Sequence, residues 1–125
     1  GRNNVKLIDD SYNANLRSVK TAIDVLSSEE NQKIFILGEL AEAGDSLNEH
    51  YIEIGTYAKE KNIDKLYTLG EHSQIAQNTF GKKGLHFNDK NKLFNYIKND
   101  INAQTTILVK GSRSAKMEKI IHHLI

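Results

Sequence analysis

The chain has 125 residues, which is the length of one ordinary domain and too short for two hydrophobic cores. Its 17 basic and 16 acidic residues leave a net charge of +1, which argues against general nucleic-acid binding, and the absence of cysteine excludes disulfides and thiolate metal sites. No apolar run approaches the roughly 20 residues that a membrane-spanning helix needs. We therefore expect one cytoplasmic domain over residues 1–125, without membrane contact.

The first half of the chain predicts three strands and two long helices. Val5 to Ile8 is mostly apolar and β-branched, as in a strand. The next helix is indicated by apolar residues at helical spacing, with Asn13 or Asn15 as its N-cap: Leu16, Val19, Ala22, Ile23 and Leu26. The run 34–37, ended by Gly38, is typical of a strand covered on both faces. The capping-box pattern at Ser46 and Glu49 predicts the second helix, and Lys65 to Leu69 reads as the third strand.

The second half repeats this alternation. Ser73 can cap a short helix, and Leu85 to Phe87 predicts a weaker strand. Asp89 can cap the following helix, and residues 106–109 predict the last strand. The final helix carries an apolar face made of Met117, Ile120, Ile121 and Leu124.

Five strands alternating with helices predict an α/β fold, a three-layer αβα Rossmann-like domain with a mostly parallel sheet. In such a sheet all strand exits face one edge, where ligands bind. The residues brought to this rim are Asp9, Asp10, Gly38, Glu39, Gly70, Lys110, Gly111 and Ser112. The rim is therefore the predicted site.

Two polar segments of the rim can carry chemistry. Asp9 and Asp10 can bind a divalent cation, bond ribose hydroxyls or act as a base, or one can cap the following turn while the other is solvated. The segment 110–113 sets Lys110 and Arg113 around a glycine just before a helix, which suits a phosphate or carboxylate. The same pattern also describes an ordinary strand-to-helix loop.

The chain has no phosphate-cradling loop of its own. Gly81-Lys82-Lys83 lacks the earlier glycine of a Walker A loop, and Lys83 stands where a Ser or Thr would hold magnesium. The histidines also lack the spacing of a helical zinc site, so no metal site is predicted here. An ATP site built on this chain would need another domain to complete it.

Three ordered motifs carry a family resemblance. Residues 9–15 read D-D-S-Y-N-A-N, residues 37–44 read L-G-E-L-A-E-A-G with His50 following, and residues 109–114 read V-K-G-S-R-S with Met117-Glu118 following. Together with Gly1-Arg2 they resemble the C-terminal domain of the Mur ligases, in the branch that adds D-alanyl-D-alanine. Three positions depart from the family pattern, with Leu16 for proline, Leu40 for methionine and Ala43 for leucine.

The resemblance implies an ATP-dependent amide ligase of peptidoglycan precursor synthesis. In that family ATP phosphorylates the carboxylate of a UDP-linked muramoyl tripeptide, and the amine of D-alanyl-D-alanine attacks the acyl phosphate. An N-terminal and a central domain, both absent here, hold the UDP-sugar and the P-loop with Mg²⁺. The present chain would be the third domain, which closes over ATP and helps to bring in the dipeptide, with no ligase activity alone.

The resemblance also assigns roles to individual residues. Asp10 would bond the ATP ribose, Arg2 would approach the nucleotide phosphates, and Asn13 and Asn15 would line the adenosine side. Substrate binding in the cleft, near the dipeptide or the transferred phosphate, would fall to Lys110, Ser112 and Arg113. These residues would position substrates and neutralise charge rather than transfer protons, so no catalytic residue is expected in this domain alone.

Two readings of other classes compete. A signalling receiver domain also has an acid pair after its first strand and a lysine after its fifth, but it needs a phosphorylatable aspartate after the third strand, where this chain has Leu69-Gly70. A non-catalytic interaction module is the other alternative.

Overall fold

The computed structural model describes residues 5–8, 15–41, 44–101, 104–112 and 114–124, with the side chains of 114, 115 and 124 left aside. Within these ranges, five strands and five helices alternate. The strands are β1 (Lys6–Ile8), β2 (Gln32–Leu37), β3 (Lys65–Leu69), β4 (Gly84–Phe87) and β5 (Thr105–Lys110). The helices are α1 (Leu16–Ser27), α2 (Leu47–Glu60), α3 (Gln74–Phe80), α4 (Lys90–Asp100) and α5 (Ser114–Leu124). No helix in these ranges is both long and apolar enough to cross a membrane.

The strands form one sheet in the order β1-β5-β2-β3-β4, and every pair is parallel. β5 lies between β1 and β2, where Ile107 is opposite Leu7 on one side and opposite Ile34 on the other. The predicted α/β class and parallel sheet are thus confirmed. The order brings the carboxyl ends of β5, β2 and β3 next to one another.

Two hydrophobic clusters cover the two faces of the sheet. Successive residues of β2 point to opposite faces, so Phe35 and Leu37 join α1, α2 and α3 in one cluster, while Ile34 and Ile36 join α4 and α5 in the other. All four side chains are fully buried. The continuous apolar run of β2 follows from this double burial, since neither face can be polar. The domain therefore has three layers.

The helix starts agree with the sequence predictions better than the caps do. Asn15 caps α1 through Oδ1, which accepts the N–H of Ser18, and Asp89 caps α4 by accepting the N–H of Asn91. Helices α2 and α3 begin directly after Ser46 and Ser73 as predicted, but the predicted caps are wrong, since neither serine side chain makes a cap hydrogen bond. Both have φ and ψ outside the extended region that a capping residue needs, with ψ of 2° at Ser46 and −15° at Ser73.

Candidate functional site

A glycine follows each of the three adjacent strands β2, β3 and β5. The N–H of Gly38 donates to the carbonyl of Lys110 at 2.8 Å, which continues the sheet ladder past the end of β2. Gly111 and Gly38 pack backbone to backbone: a Cβ on Gly111 would lie 2.8 Å from the Cα of Gly38. Position 111 therefore admits only a residue without a side chain, which lets the chain turn there close to the sheet edge.

A cleft of about 340 Å³ opens at these strand exits, beside the N-terminal ends of α4 and α5. Among the described residues it is lined by Gly38, Glu39, Leu69, Gly70, Lys90, Ser112, Lys116, Met117 and Ile120. Its size is at the small end of the ~300–1,000 Å³ typical of small-molecule sites. We call it the strand-exit cleft. Its apolar wall and its charged groups fit a small ligand that has both apolar and ionised parts.

Glu39 connects all three strand exits. Its main-chain carbonyl accepts the N–H of Ser112 at 2.7 Å, which ties the β2 exit to the β5 exit. Its carboxylate accepts the N–H of His72 at 3.1 Å and the N–H of Ser73 at 2.9 Å, which ties it to the β3 exit. The ring Nδ1 of His72 lies 2.8 Å from Oε1 and carries the proton, because an ionised carboxylate can only accept.

The Glu39–His72 pair favours its charged forms. Burial raises the pKa of the Glu39 carboxyl, but the hydrogen bonds from the His72 ring and from the main-chain N–H groups of His72 and Ser73 outweigh burial, so its pKa is lowered overall. The hydrogen bond to Glu39 raises the pKa of the His72 imidazole. Both side chains are partly exposed, 30% for Glu39 and 46% for His72, so water screens this attraction.

The loop after β2 is also fixed by a hydrogen bond to helix α2. The N–H of Leu40 donates to the hydroxyl of Tyr51 at 2.8 Å, and Tyr51 is fully buried in α2. A buried tyrosine hydroxyl needs a partner, and here it fixes the main chain one residue past Glu39. The Glu39 side chain therefore starts from a rigid position.

Three of the seven predicted site residues are described. Asn15 is exposed and caps α1, in a capping box with Ser18 whose hydroxyl accepts the N–H of Asn15. Lys110 ends β5 opposite Leu37 and is 1% exposed. Ser112 is exposed and lines the strand-exit cleft. The predictions for Arg2, Asp10, Asn13 and Arg113, and that for Asp9, lie outside the described residues.

Sequence reasoning placed Gly38, Glu39, Gly70 and Ser112 at the rim, and all four line the strand-exit cleft. It missed Lys90 and Lys116, two exposed lysines of the lining, and the role of His72. Lys90 begins α4 directly after the cap Asp89, so the helix-start signal combined with the strand-exit rule could have found it. Within the described ranges, no group of three His, Cys, Asp or Glu side chains could hold a metal ion.

A family model described as Mur ligase, glutamate ligase domain, matches residues 1–113. The chain belongs to this family, so the predicted resemblance is confirmed. It is 41% identical over 121 residues to a UDP-N-acetylmuramoyl-tripeptide--D-alanyl-D-alanine ligase of Buchnera aphidicola and 39% identical over 123 residues to that of Escherichia coli. These matches cover 95% and 97% of this chain but only 26% and 27% of the relatives, so the chain spans about a quarter of their length.

Solved structures agree with this membership. The fold matches MurF from Acinetobacter baumannii with a TM-score of 0.82 and 29% identity, over 94% of this chain and 27% of that one. It also matches MurF ligase from Thermotoga maritima in complex with ADP, with a TM-score of 0.82 over 99% of this chain and 29% of that one. At 22% identity the second match speaks for the fold alone. The receiver-domain alternative is not favoured.

Proposed function

We propose that this chain is the C-terminal domain of an ATP-dependent ligase that adds D-alanyl-D-alanine to a UDP-N-acetylmuramoyl tripeptide. The observation that carries the proposal is that the loops singled out by the family motifs after β2 and β5 meet at one cleft, in a chain 41% identical to such a ligase. A cytoplasmic location belongs to the proposal, because ATP drives the reaction.

The nucleotide side of the proposal rests on the first family motif. Asp10 would bond the ATP ribose, Arg2 would approach the phosphates, and Asn13 and Asn15 would line the adenosine side. Since Oδ1 of Asn15 is used by the helix cap, its amide Nδ2 is the atom that would donate to the nucleotide. Mg²⁺ would be held mainly by a central domain, which also supplies the phosphate-binding loop.

The dipeptide side rests on the strand-exit cleft. Ser112 lines this cleft, and Lys110, which is 1% exposed here, and Arg113 would bind substrate beside it, near the transferred phosphate. The apolar wall of Leu69, Met117 and Ile120 suits the methyl groups of D-alanyl-D-alanine. Its carboxylate would meet the ammonium groups of Lys90 and Lys116, because these are cations of the described lining and are exposed to an entering ligand.

The chemical work assigned to this domain is positioning and charge neutralisation. An amine that attacks an acyl phosphate must be held in line with it, and fixed geometry of this kind contributes a large part of the rate in two-substrate reactions. Closure of the domain against a central domain would bring the dipeptide amine to the acyl phosphate. The N-terminal domain would hold the UDP-sugar.

The proposal is tested in the full-length protein by measuring phosphate release from ATP. We expect release that depends on both the UDP-linked tripeptide and D-alanyl-D-alanine, with a ligated pentapeptide product seen by mass spectrometry. Absence of that product would refute the proposal. If product forms but Asp10→Ala leaves the rate unchanged, the nucleotide role is wrong, and the domain acts as an interaction module.

A further inference from the structure

The N-terminus of α3 is capped in a different way from those of α1 and α4. Asn15 and Asp89 cap their helices from the adjacent position in the chain. Ser73 occupies that position in α3, yet its buried hydroxyl finds no hydrogen-bond partner among the described residues. The N–H groups of His72 and Ser73 are bonded instead by Glu39, more than thirty residues earlier in the chain. The start of α3 is thus held by a side chain of the cleft wall.

The same side chain also packs against the exit of β3. Gly70 has φ of +125°, and a Cβ built on it would lie 2.5 Å from Oε2 of Glu39. The carboxylate therefore packs against the main chain of Gly70 while it bonds the two residues that follow Glu71. Leu69 ends β3 and Gly70 packs against this carboxylate, and both residues line the strand-exit cleft.

The opposite wall is held by the same residue. The carbonyl of Glu39 bonds the N–H of Ser112, and Ser112 lines the cleft across from Leu69 and Gly70. Glu39 thus bonds both walls and sets the distance between them. Its main chain is itself fixed by the hydrogen bond from the next residue, Leu40, to Tyr51. A substitution of Glu39 should therefore alter the shape of the cleft, although Glu39 itself need not contact the ligand.

We propose that Glu39 is a positioning residue for the incoming dipeptide: by bonding Ser112, His72 and Ser73 it sets the width of the strand-exit cleft. The proposal rests on the proposed function, which supplies the ligand. Glu39 acts through the loops it holds, and both oxygens of its carboxylate already accept N–H groups of His72 and Ser73, so it is not assigned a bond to the dipeptide itself.

The test compares Glu39→Gln with wild type in the full-length protein. Glutamine keeps the shape but turns one acceptor oxygen into an NH₂ group. This donor faces the main-chain N–H groups of His72 and Ser73, so part of the hydrogen bonding from Glu39 is lost. We expect the KM for D-alanyl-D-alanine to rise about five- to tenfold, while the KM for ATP and kcat stay within about twofold, as for lost substrate binding. Glu39→Ala should show a larger rise.

Asp64→Ala is the matched control. Asp64 also uses a carboxylate to bond a main-chain N–H, that of Lys33 at 2.8 Å, and it joins the same two strands, β2 and β3, at their opposite ends. It should lower thermal stability to a similar extent and leave the dipeptide KM within twofold. Equal KM changes in Glu39→Gln and Asp64→Ala would mean that Glu39 is only structural, and the inference would be overturned.

Gly70→Ala provides an independent route to the same cleft. The added methyl must push the Glu39 carboxylate away, so the dipeptide KM should rise again while Glu39 itself is intact. A dipeptide KM unchanged in both Glu39→Gln and Gly70→Ala would refute the inference. If the wild-type protein itself shows no dipeptide-dependent ligation, the proposed function fails, which is a separate outcome.

Discussion

Gly111 crosses Gly38 so closely that a Cβ on Gly111 would lie 2.8 Å from both the nitrogen and the Cα of Gly38. The contact joins the exits of β5 and β2, where Lys110 and Leu37 end their shared ladder. Neither neighbour can yield, because both are main chain within a hydrogen-bonded sheet edge. The close approach of the two strand exits therefore requires a residue without a side chain at position 111.

Gly111→Ala should destabilise the domain more than most single substitutions. The φ of +128° alone costs a non-glycine residue about 1 kcal/mol or more, and the main-chain clash adds to that cost. We expect a loss of about 2–4 kcal/mol in the free energy of unfolding, measured by urea denaturation. Gly81→Ala is the control, since its φ is +106° but no atom of the described residues lies within 4 Å of the added Cβ. With φ of +106° and ψ of −147°, Gly81→Ala should lose about 1–3 kcal/mol from backbone strain alone, without the clash that Gly111→Ala adds.

The Glu39–His72 pair predicts a pH window of extra stability. His72 has a raised pKa, so its contribution is complete below its ordinary pKa of 6.5 and is lost as the pH rises through the raised value. Glu39 has a lowered pKa, so its contribution is complete above its ordinary pKa of 4.5 and is lost as the pH falls through the lowered value. The pair should stabilise most between pH 4.5 and 6.5.

The pH window is measured as the difference in unfolding free energy between wild type and His72→Gln from pH 4 to 9. We expect the difference to shrink as the pH rises above the imidazole pKa, which NMR of the His72 ring can give directly. In Glu39→Gln the His72 pKa should return towards its ordinary value. A difference that stays constant with pH would show that the pair carries no ionic stabilisation.

Asn15 allows the helix cap to be separated from a nucleotide contact. Asn15→Ala removes the capping box with Ser18 and should cost about 1 kcal/mol of unfolding free energy. Asn15→Asp keeps the acceptor and should leave stability within about 0.5 kcal/mol of wild type. Because Asn15→Asp lacks the amide donor, its KM for ATP should rise in the full-length protein if Nδ2 bonds the nucleotide. An ATP KM equal to that of wild type would limit Asn15 to capping.

Lys116 should contribute to binding of the dipeptide carboxylate. Lys116→Ala is expected to raise the KM for D-alanyl-D-alanine about threefold to tenfold, the effect of one partly exposed charge-assisted hydrogen bond. The same substitution should have little effect when the substrate is the dipeptide carboxamide, which lacks the negative charge. Lys98→Ala is the control, because Lys98 is exposed in the last turn of α4 and is not among the cleft-lining residues. Equal KM changes with the acid and the amide would rule out a carboxylate contact.

The 125-residue chain alone should show no ligase turnover, because it lacks the phosphate-binding loop that ATP chemistry needs. Phosphate release above background from the purified chain would contradict this. An NMR titration with magnesium-ATP and, separately, with D-alanyl-D-alanine would then locate weak binding. We expect dipeptide shifts at Ser112 and around Glu39, whereas shifts elsewhere only would argue against the strand-exit cleft.

Local sequence patterns were sufficient for the elements of the fold. β2 and β5 are buried on both faces, so each appears as an unbroken apolar run, and the helical faces repeat at the spacing of a covered helix. Asn15 and Asp89 cap from adjacent positions, which a short motif can show. The caps of α2 and α3 could not be read in this way, because Ser46 and Ser73 adopt the wrong backbone conformation and Glu39 replaces Ser73 from a distant loop.

The strand-exit rule located residues that line the cleft. That rule requires only strand ends and a parallel sheet, and it found Gly38, Glu39, Gly70 and Ser112. Strand order is not encoded in any local pattern. The contact between Gly111 and Gly38 and the hydrogen bonds between Glu39 and His72 could therefore be found only from the structure. Lys90 follows the cap Asp89 and could have been found by combining the helix-start signal with the strand-exit rule, whereas Lys116 is an exposed helical lysine with no distinctive sequence signal.

The last strand of the chain lies inside the sheet rather than at its edge. β1 has β5 as its only partner among the described strands. Lys6 can therefore pair only after Thr106 has been synthesised. Until residues 105–110 have left the ribosome, β1 has no strand to pair with and one edge of β2 is also unpaired. The sheet is therefore completed late, by contacts between residues that are far apart in sequence, and such contacts slow folding. Truncation after α4 removes this central strand and should be far more damaging than the loss of a terminal helix.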